Sequence, residues 1–434
     1  MLECINNQHL SLNSDLYPSF YIFQFLLKGG IIHFIFGQIS AILYCIVKQY
    51  IYALSSTLSM YLGPPLPIKL ATAKTRFGAS MDKIRITKTT TPKVKPDYSN
   101  LGFGKYFTDH MFLMDYASDK GWYDPRIVPY GPISLDPSAM VLHYAQETFE
   151  GMKAYYSPEG KVLLFRPWDN FDRLNSSHNR LCIPPIDPDF ALEALKTLLR
   201  VDIDWMPKED GTSMYIRPFV IATEPHLGVR TSNNYIFCII LSPVAAYYPE
   251  GMAPVKIYVE DEDVRAVRGG TGEAKVGGNY AGTIRAQNKA QEMGFTQVLW
   301  LDGVHRKYIE EVGTMNVFFV IDGVVVTPSL SGSILPGITR RSCLEILRAR
   351  NIPCEERMIS VDELRTALES GKVSEAFGSG TAAVISPIGS LTFGDKTYEI
   401  NGGQTGPISQ ELYDEITGIQ WGKRDDSFGW SVEV

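Results

Sequence analysis

The sequence predicts an α/β (α+β) protein of two domains. Three observations carry that expectation. Stretches with helical and with strand periodicity alternate from about residue 101 to the end. A turn-rich stretch, Ala245-Ala-Tyr-Tyr-Pro-Glu-Gly-Met-Ala-Pro254, interrupts the alternation near its middle. The chain has 434 residues, 45% hydrophobic and 21% charged, which is enough globular material for two cores.

The bulk composition excludes several classes. A net charge of −7 argues against nucleic acid as a partner. The six cysteines (Cys4, Cys45, Cys182, Cys238, Cys343 and Cys354) are scattered without a C-x-x-C, so no disulfide framework is expected and a reducing compartment is. The seven histidines form no H-x-x-x-H pattern, and no metal site is expected.

Residues 1–80 differ from the rest and are read as a leader. Lys28 and Lys48 bracket an uncharged run, 29–47, close to the roughly 20 residues that span a bilayer. His33, Gln38 and glycines interrupt it. Three readings stay open: a membrane tether through 29–47, a targeting extension, or translated sequence outside the working protein. Residues 64–98 are rich in Pro, Lys and Thr and poor in acids, which admits a mitochondrial address; otherwise the chain is cytoplasmic. Membrane contact is expected only if 1–80 is retained. Met81 is a plausible soluble start, and 81–100 reads as a flexible linker.

Residues 101–246 form the expected first domain. Gly102 to His110 leads into strand-like material. Val141-Leu-His-Tyr144 and Phe149–Tyr155 follow, then a strand at 162–167 and a helix at 170–182. Leu192, Leu195, Leu198 and Leu199 have helical spacing within 190–201. Runs 214–222 and 235–244 are rich in β-formers. A linker is placed at 247–254 and the second domain at 255–434. It opens on a strand at 255–259, and Asn279 is expected to cap a helix ending at Gly294. A strand at 296–301 follows, then a hairpin over 315–327 turning at Asp322-Gly323. Helices are expected at 338–350 and 361–369.

Four motifs of the second domain carry chemistry. Lys275 stands between Gly269-Gly270 and Gly277-Gly278, with Tyr280 after it. Such glycines free a loop, and a desolvated lysine forms a Schiff base with an aldehyde. Taken alone, the bland reading is a surface lysine. Glu311, in Glu-Val-Gly-Thr-Met-Asn316 just before a strand, can hold a ring nitrogen protonated. Alone, it reads as a solvated glutamate. Leu335-Pro-Gly-Ile-Thr-Arg340 opens a helix whose first N–H groups, at Ile338 and Thr339, can bind an anion, although every helix has such an end. Phe377-Gly-Ser-Gly-Thr-Ala-Ala383 formally matches a dinucleotide fingerprint. The β-branched run 384–387 that follows is not a helix, so a glycine-rich anion turn at Thr381 and Ala382 is the better reading. No nucleotide P-loop occurs.

In this order the motifs resemble the branched-chain amino acid aminotransferases, class IV, fold-type IV enzymes that use pyridoxal 5′-phosphate. The resemblance runs from about Phe103 to Gly418-Ile-Gln-Trp-Gly422. It also rests on Phe107-Thr-Asp-His-Met111, Phe149-Glu-Gly-Met-Lys-Ala154, Phe165-Arg-Pro167 and Tyr215-Ile-Arg-Pro218. It implies two α/β domains with the active site between them. It implies Lys275 as Schiff-base lysine and proton shuttle, Glu311 on the pyridine nitrogen, and Tyr280 on the phenolic oxygen. Arg173, Ile338, Thr339 and Thr381 are expected on the phosphate, and Ala382 on the substrate α-carboxylate. Phe103, Tyr144, Phe149, Tyr215 and Tyr247 match pocket positions. Each aromatic alone would read as core packing. Arg217 matches an arginine that some members use for the distal carboxylate of glutamate.

The resemblance further implies transfer between Leu, Ile or Val and 2-oxoglutarate, giving the branched 2-oxo acid and glutamate by a ping-pong cycle, in a homodimer. Some animal members carry a redox C-x-x-C after the Gly-Thr-Ala segment; here Ala383 and Ser386 stand there, so no dithiol switch is expected. The rival readings are a D-amino acid aminotransferase, an aminodeoxychorismate lyase, or a membrane-tethered binding protein without catalysis.

Overall fold

The computed structural model describes residues 83–245 and 251–434. The leader, the run at 29–47, Met81 and Tyr247 lie outside the described residues. The membrane-tether expectation is corrected: among the described residues no helix is long and apolar enough to cross a membrane.

The architecture is mixed α/β in two domains, each built on a nine-stranded sheet. In the first, hydrogen-bonded neighbours are antiparallel except the short strand Arg85–Ile86, which runs parallel to Gly121–Pro129. The C-terminal strand Ser431–Glu433 returns to pair with Val162–Phe165 at the edge of this sheet. Helices Pro167–Leu181 and Pro188–Val201 cover one face. Phe171, Leu174, Leu192, Leu195, Leu198 and Leu199 pack there against Phe112, Phe237 and Ile239. Both helices begin earlier than the apolar spacing suggests. Each has a proline in its first turn, where the missing N–H costs nothing, and Asp187 caps the second.

The second sheet closes on itself. Ile309–Val312 pairs with Gln297–Leu301 on one side and Met315–Ile321 on the other. Together with Val255–Val259, Val373–Gly380 and Val384–Phe393 these make a ring of six strands. Alternate side chains of Met315–Ile321 point opposite ways, as a strand requires. Val317 and Phe319 join Ile257, Leu299, Val312 and Ile388 in one core. Phe318 and Val320 join a second core with helices Ile338–Ala349 and Pro407–Gln420, and with Tyr155 and Phe165 from the first sheet. Each fully buried Phe of this kind contributes roughly 1.5–3 kcal/mol. That second core ties the two sheets together.

The hairpin turns at Asp322-Gly323, both at positive φ (50° and 80°), the backbone a tight antiparallel turn needs. Asn279 departs from expectation. It lies inside a short helix, Gly277–Ala281, rather than capping a long one, and the helical run resumes as Ile284–Glu292. Its side-chain amide instead turns back to donate to the carbonyls of Thr271 (2.7 Å) and Ala274 (2.8 Å). Those carbonyls lie in the turn before Lys275, where the Thr271 carbonyl also accepts the Ala274 N–H at 2.9 Å.

Candidate active site

One cavity of about 380 Å³ gathers nearly all of the candidate residues. Phe103, Phe149, Arg173, Tyr215, Arg217, Lys275, Tyr280, Glu311, Ile338, Thr339, Thr381 and Ala382 line it. Tyr144 does not. It ends the short helix Met140–Tyr144, is 36% exposed, and its hydroxyl donates to the Leu227 carbonyl. The aromatic there is spent on a surface contact, and the structure does not bring it to the cavity.

The lysine loop is held rather than loose. The Lys275 N–H donates to Ser177 Oγ at 2.8 Å, and its carbonyl accepts the Phe149 N–H at 3.0 Å. The Asn279 bonds fix the turn before it. Gly277 serves close approach: its N–H donates to Glu147, and a Cβ there would collide with that carboxylate. With the backbone pinned, only the side chain of Lys275 has freedom. Its Nζ donates to the Tyr280 hydroxyl at 2.8 Å and stands 4.8 Å from the centre of the Phe149 ring. Phe149 meets the Tyr280 ring edge-on at 4.9 Å.

The ring of strands places the opposite wall. Glu311 faces Asn316 in register, and Asn316 faces Ser379, so three polar side chains lie in a row across three strands. Glu311 is buried; burial pushes its carboxyl up, and the Arg265 guanidinium works against that. Its Oε1 accepts the Leu335 N–H at 2.8 Å, and its Oε2 lies 3.3 Å from Arg265 Nε.

An anion site lies at one end. Helix Ile338–Ala349 starts without a side-chain cap, so its first N–H groups stay open toward the cavity. Asn316 Nδ2 donates to the Leu335 carbonyl at 2.9 Å and holds the approach to that helix. Arg173 stands beside it, donating to the Pro336 carbonyl at 3.1 Å. Burial works to lower the Arg173 pKa, but the Glu150 carboxylate outweighs it and the net direction is up. At the other end, Thr381 and Ala382 form a tight turn between Val373–Gly380 and Val384–Phe393. Val384 sits at φ 62°, which a β-branched residue avoids, so the turn is held under strain beside the cavity. Lys153, buried, donates to the Ala382 carbonyl at 2.8 Å.

The remaining wall is aromatic. Phe103 and Tyr215 meet edge to face at 4.9 Å. Arg217 stacks over Phe149 at 4.8 Å and donates to the Tyr215 hydroxyl at 2.9 Å. Its Nε is buried without a hydrogen-bond partner.

Sequence reasoning missed Arg265, Glu150, Lys153 and Ser177. Glu150 and Lys153 sit inside a motif already singled out, Phe149-Glu-Gly-Met-Lys153, so a question about partners for Arg173 and for the 381–382 turn could have found them. Arg265 and Ser177 carry no local signal; folding alone brings them in.

Comparison with known proteins agrees with this geometry. Residues 147–391 match the amino-transferase class IV family. A branched-chain-amino-acid aminotransferase 2 of Bacillus subtilis (strain 168) is 60% identical over 351 residues, 81% of this chain and 97% of that protein. A branched-chain-amino-acid aminotransferase of Mycolicibacterium smegmatis is 50% identical over 77% of this chain and 93% of its own length. The fold is similar to the solved branched-chain amino acid aminotransferase of Escherichia coli (TM-score 0.60, 26% identity, 75% of this chain and 98% of that one). It is similar also to the branched-chain aminotransferase of Thermoproteus uzoniensis solved with norvaline (TM-score 0.61, 26% identity, 75% and 99%). This chain belongs to the class IV aminotransferases and, within them, to the branched-chain-amino-acid aminotransferases.

Proposed function

We propose that the protein moves an amino group reversibly between leucine, isoleucine or valine and 2-oxoglutarate, with pyridoxal 5′-phosphate bound in the 380 Å³ cavity. The observation that carries this reading is the placement of Lys275, Tyr280, Glu311 and the uncapped helix start around that one space. The residues fit the cofactor. The open N–H groups of Ile338 and Thr339 with Arg173 and Thr381 suit a phosphate, and Glu311 suits a protonated ring nitrogen. Arg217 Nε and Ser379 Oγ are buried without a hydrogen-bond partner, as groups awaiting a ligand are.

When bound, the cofactor supplies an aldehyde carbon and a ring that accepts electrons. The chain supplies the rest. Lys275 Nζ would hold the cofactor at that carbon and would carry a proton to and from the substrate Cα. The Tyr280 hydroxyl orients Nζ and would bond the ring's phenolic oxygen. Glu311 would hold the ring nitrogen protonated. The Ala382 N–H takes the substrate α-carboxylate. Phe103, Phe149 and Tyr215 bury a branched side chain, at roughly 25 cal/mol per Å². Arg217 takes the distal carboxylate of glutamate in the other half-reaction. The alternation of an apolar and an anionic substrate in one space matches an arginine set among aromatic rings. The protein acts as a homodimer.

The test is the visible spectrum of the purified holoprotein. The cofactor band is expected to fall on adding leucine and to return with 2-oxoglutarate, and Lys275→Ala is expected to abolish the cycle. A holoprotein that binds cofactor but ignores leucine, isoleucine and valine overturns the substrate assignment. Sedimentation of the same sample checks the dimer.

A further inference from the structure

Strand Ile309–Val312 separates two cavities. Successive side chains of a strand point to opposite faces. Glu311 lines the catalytic cavity, while its neighbour Glu310 lines a second one of about 350 Å³. Glu310 is 4% exposed. Its Oε1 accepts the Ser333 hydroxyl, and its Oε2 is buried with no hydrogen-bond partner. A buried carboxylate oxygen left unpaired is costly, and it marks the place where a donor is missing.

The rest of the cavity narrows the donor's identity. Ile334 is buried in the wall, and Met358 stands 48% exposed at the rim. Arg268, exposed at the same rim, makes no ion pair among the described residues. Asp302 offers nothing to a ligand, because its two oxygens accept the N–H groups of Val304, His305, Lys307 and Tyr308. An inner anion, an outer cation and an apolar wall between them are the complement of a zwitterion with a hydrocarbon side chain.

We propose that this second cavity binds an apolar α-amino acid, with its ammonium group at Glu310 Oε2, its carboxylate at Arg268 and its side chain against Ile334 and Met358. The volume is close to that of the catalytic cavity, so a leucine-sized ligand fits. The site is coupled to catalysis through one segment. Ser333 bonds Glu310, and Leu335, two residues on, donates to Glu311. Arg265 spans both, donating to the Ser333 carbonyl and facing Glu311. A ligand that competes for Glu310 therefore acts on the segment that positions Glu311, and by linkage the catalytic ligand acts back on it.

The probe is 1-aminocyclopentane-1-carboxylate, whose α-carbon carries no hydrogen and which is therefore not consumed. Calorimetry on the holoenzyme is expected to find two binding events per chain, only one of which moves the visible cofactor band. Glu310→Gln is expected to remove the silent event. Arg268→Ala, at an exposed position that leaves folding intact, is expected to weaken it about tenfold, the usual effect of losing one charge-assisted contact. A single event in the wild type that moves the cofactor band, or a silent event unchanged in both variants, overturns the proposal. A silent event that ignores Arg268→Ala alone overturns the assigned orientation. A silent event lost in Glu310→Gln, without any band movement in the wild type, supports the second site and instead sinks the substrate reading of the first.

Discussion

Glu150 closes both prongs of the Arg173 guanidinium, at 2.8 Å to Nε and 2.9 Å to Nη2, with the carboxylate fully buried. The pair fixes the arginine's plane while leaving its outer edge to the cavity. Two charges out of water tolerate the loss of neither partner. Glu150→Ala is expected to cost about 3–5 kcal/mol in urea unfolding, since it strands a buried cation. Arg173→Lys is expected to weaken cofactor binding as well, because a point charge cannot satisfy both carboxylate oxygens and face the phosphate. A Glu150→Ala cost near zero would show that the pair is hydrated in solution.

The Tyr280 hydroxyl accepts from Lys275 Nζ, and its ring packs on Phe149. Tyr280→Phe keeps the ring and removes the oxygen. Turnover with leucine is expected to fall by about 10²-fold, the scale for losing a positioned proton-transfer partner, with thermal stability little changed. Stopped-flow measurement of the leucine half-reaction checks this; an unchanged rate would remove Tyr280 from the mechanism.

Lys153 holds the carbonyl of Ala382, a residue of the turn that lines the cavity. Burial lowers its pKa from 10.5 to about 8. Between those values the unfolded chain binds a proton that the folded chain does not, so stability rises with pH across that window. Below about pH 8 the full penalty stands, roughly 3 kcal/mol. Lys153→Met has no such penalty. Wild-type stability relative to the variant is therefore expected to rise by roughly 3 kcal/mol from pH 8 to 10.5. The KM for leucine should rise more than kcat falls. A pH-independent stability gap would show that Lys153 is solvated.

Arg217 carries a buried Nε without a partner between two aromatic rings. Arg217→Met is expected to raise the KM for 2-oxoglutarate by about 10²-fold, from the loss of a charge-assisted contact, and to leave the leucine half-reaction within a few-fold. Equal losses in both half-reactions would mean that Arg217 shapes the pocket rather than selecting the acidic substrate.

Local chemistry carried much of this protein in its sequence. Lys275, Glu311, Leu335–Arg340 and Gly378–Ala382 each announce a possible reaction, and their order along the chain is specific to a family. The hairpin at Asp322-Gly323 and the helix Val361–Glu369 were legible because turn residues and apolar spacing act over a few positions. Other features were not. Asn279 looks like a cap, yet its amide bonds backwards to the carbonyls of Thr271 and Ala274, in the turn that precedes Lys275. Tyr144 resembles a pocket residue and stands at the surface. The pairing of Ile309–Val312 with two strands closes the barrel, and only that closure sets Glu311, Asn316 and Ser379 side by side. Arg265 reaches Glu311, and Ser177 pins Lys275, from positions 46 and 98 residues away in the chain. Residue identity fixed which groups could react; long-range strand pairing, which no local window of sequence encodes, decided which of them meet.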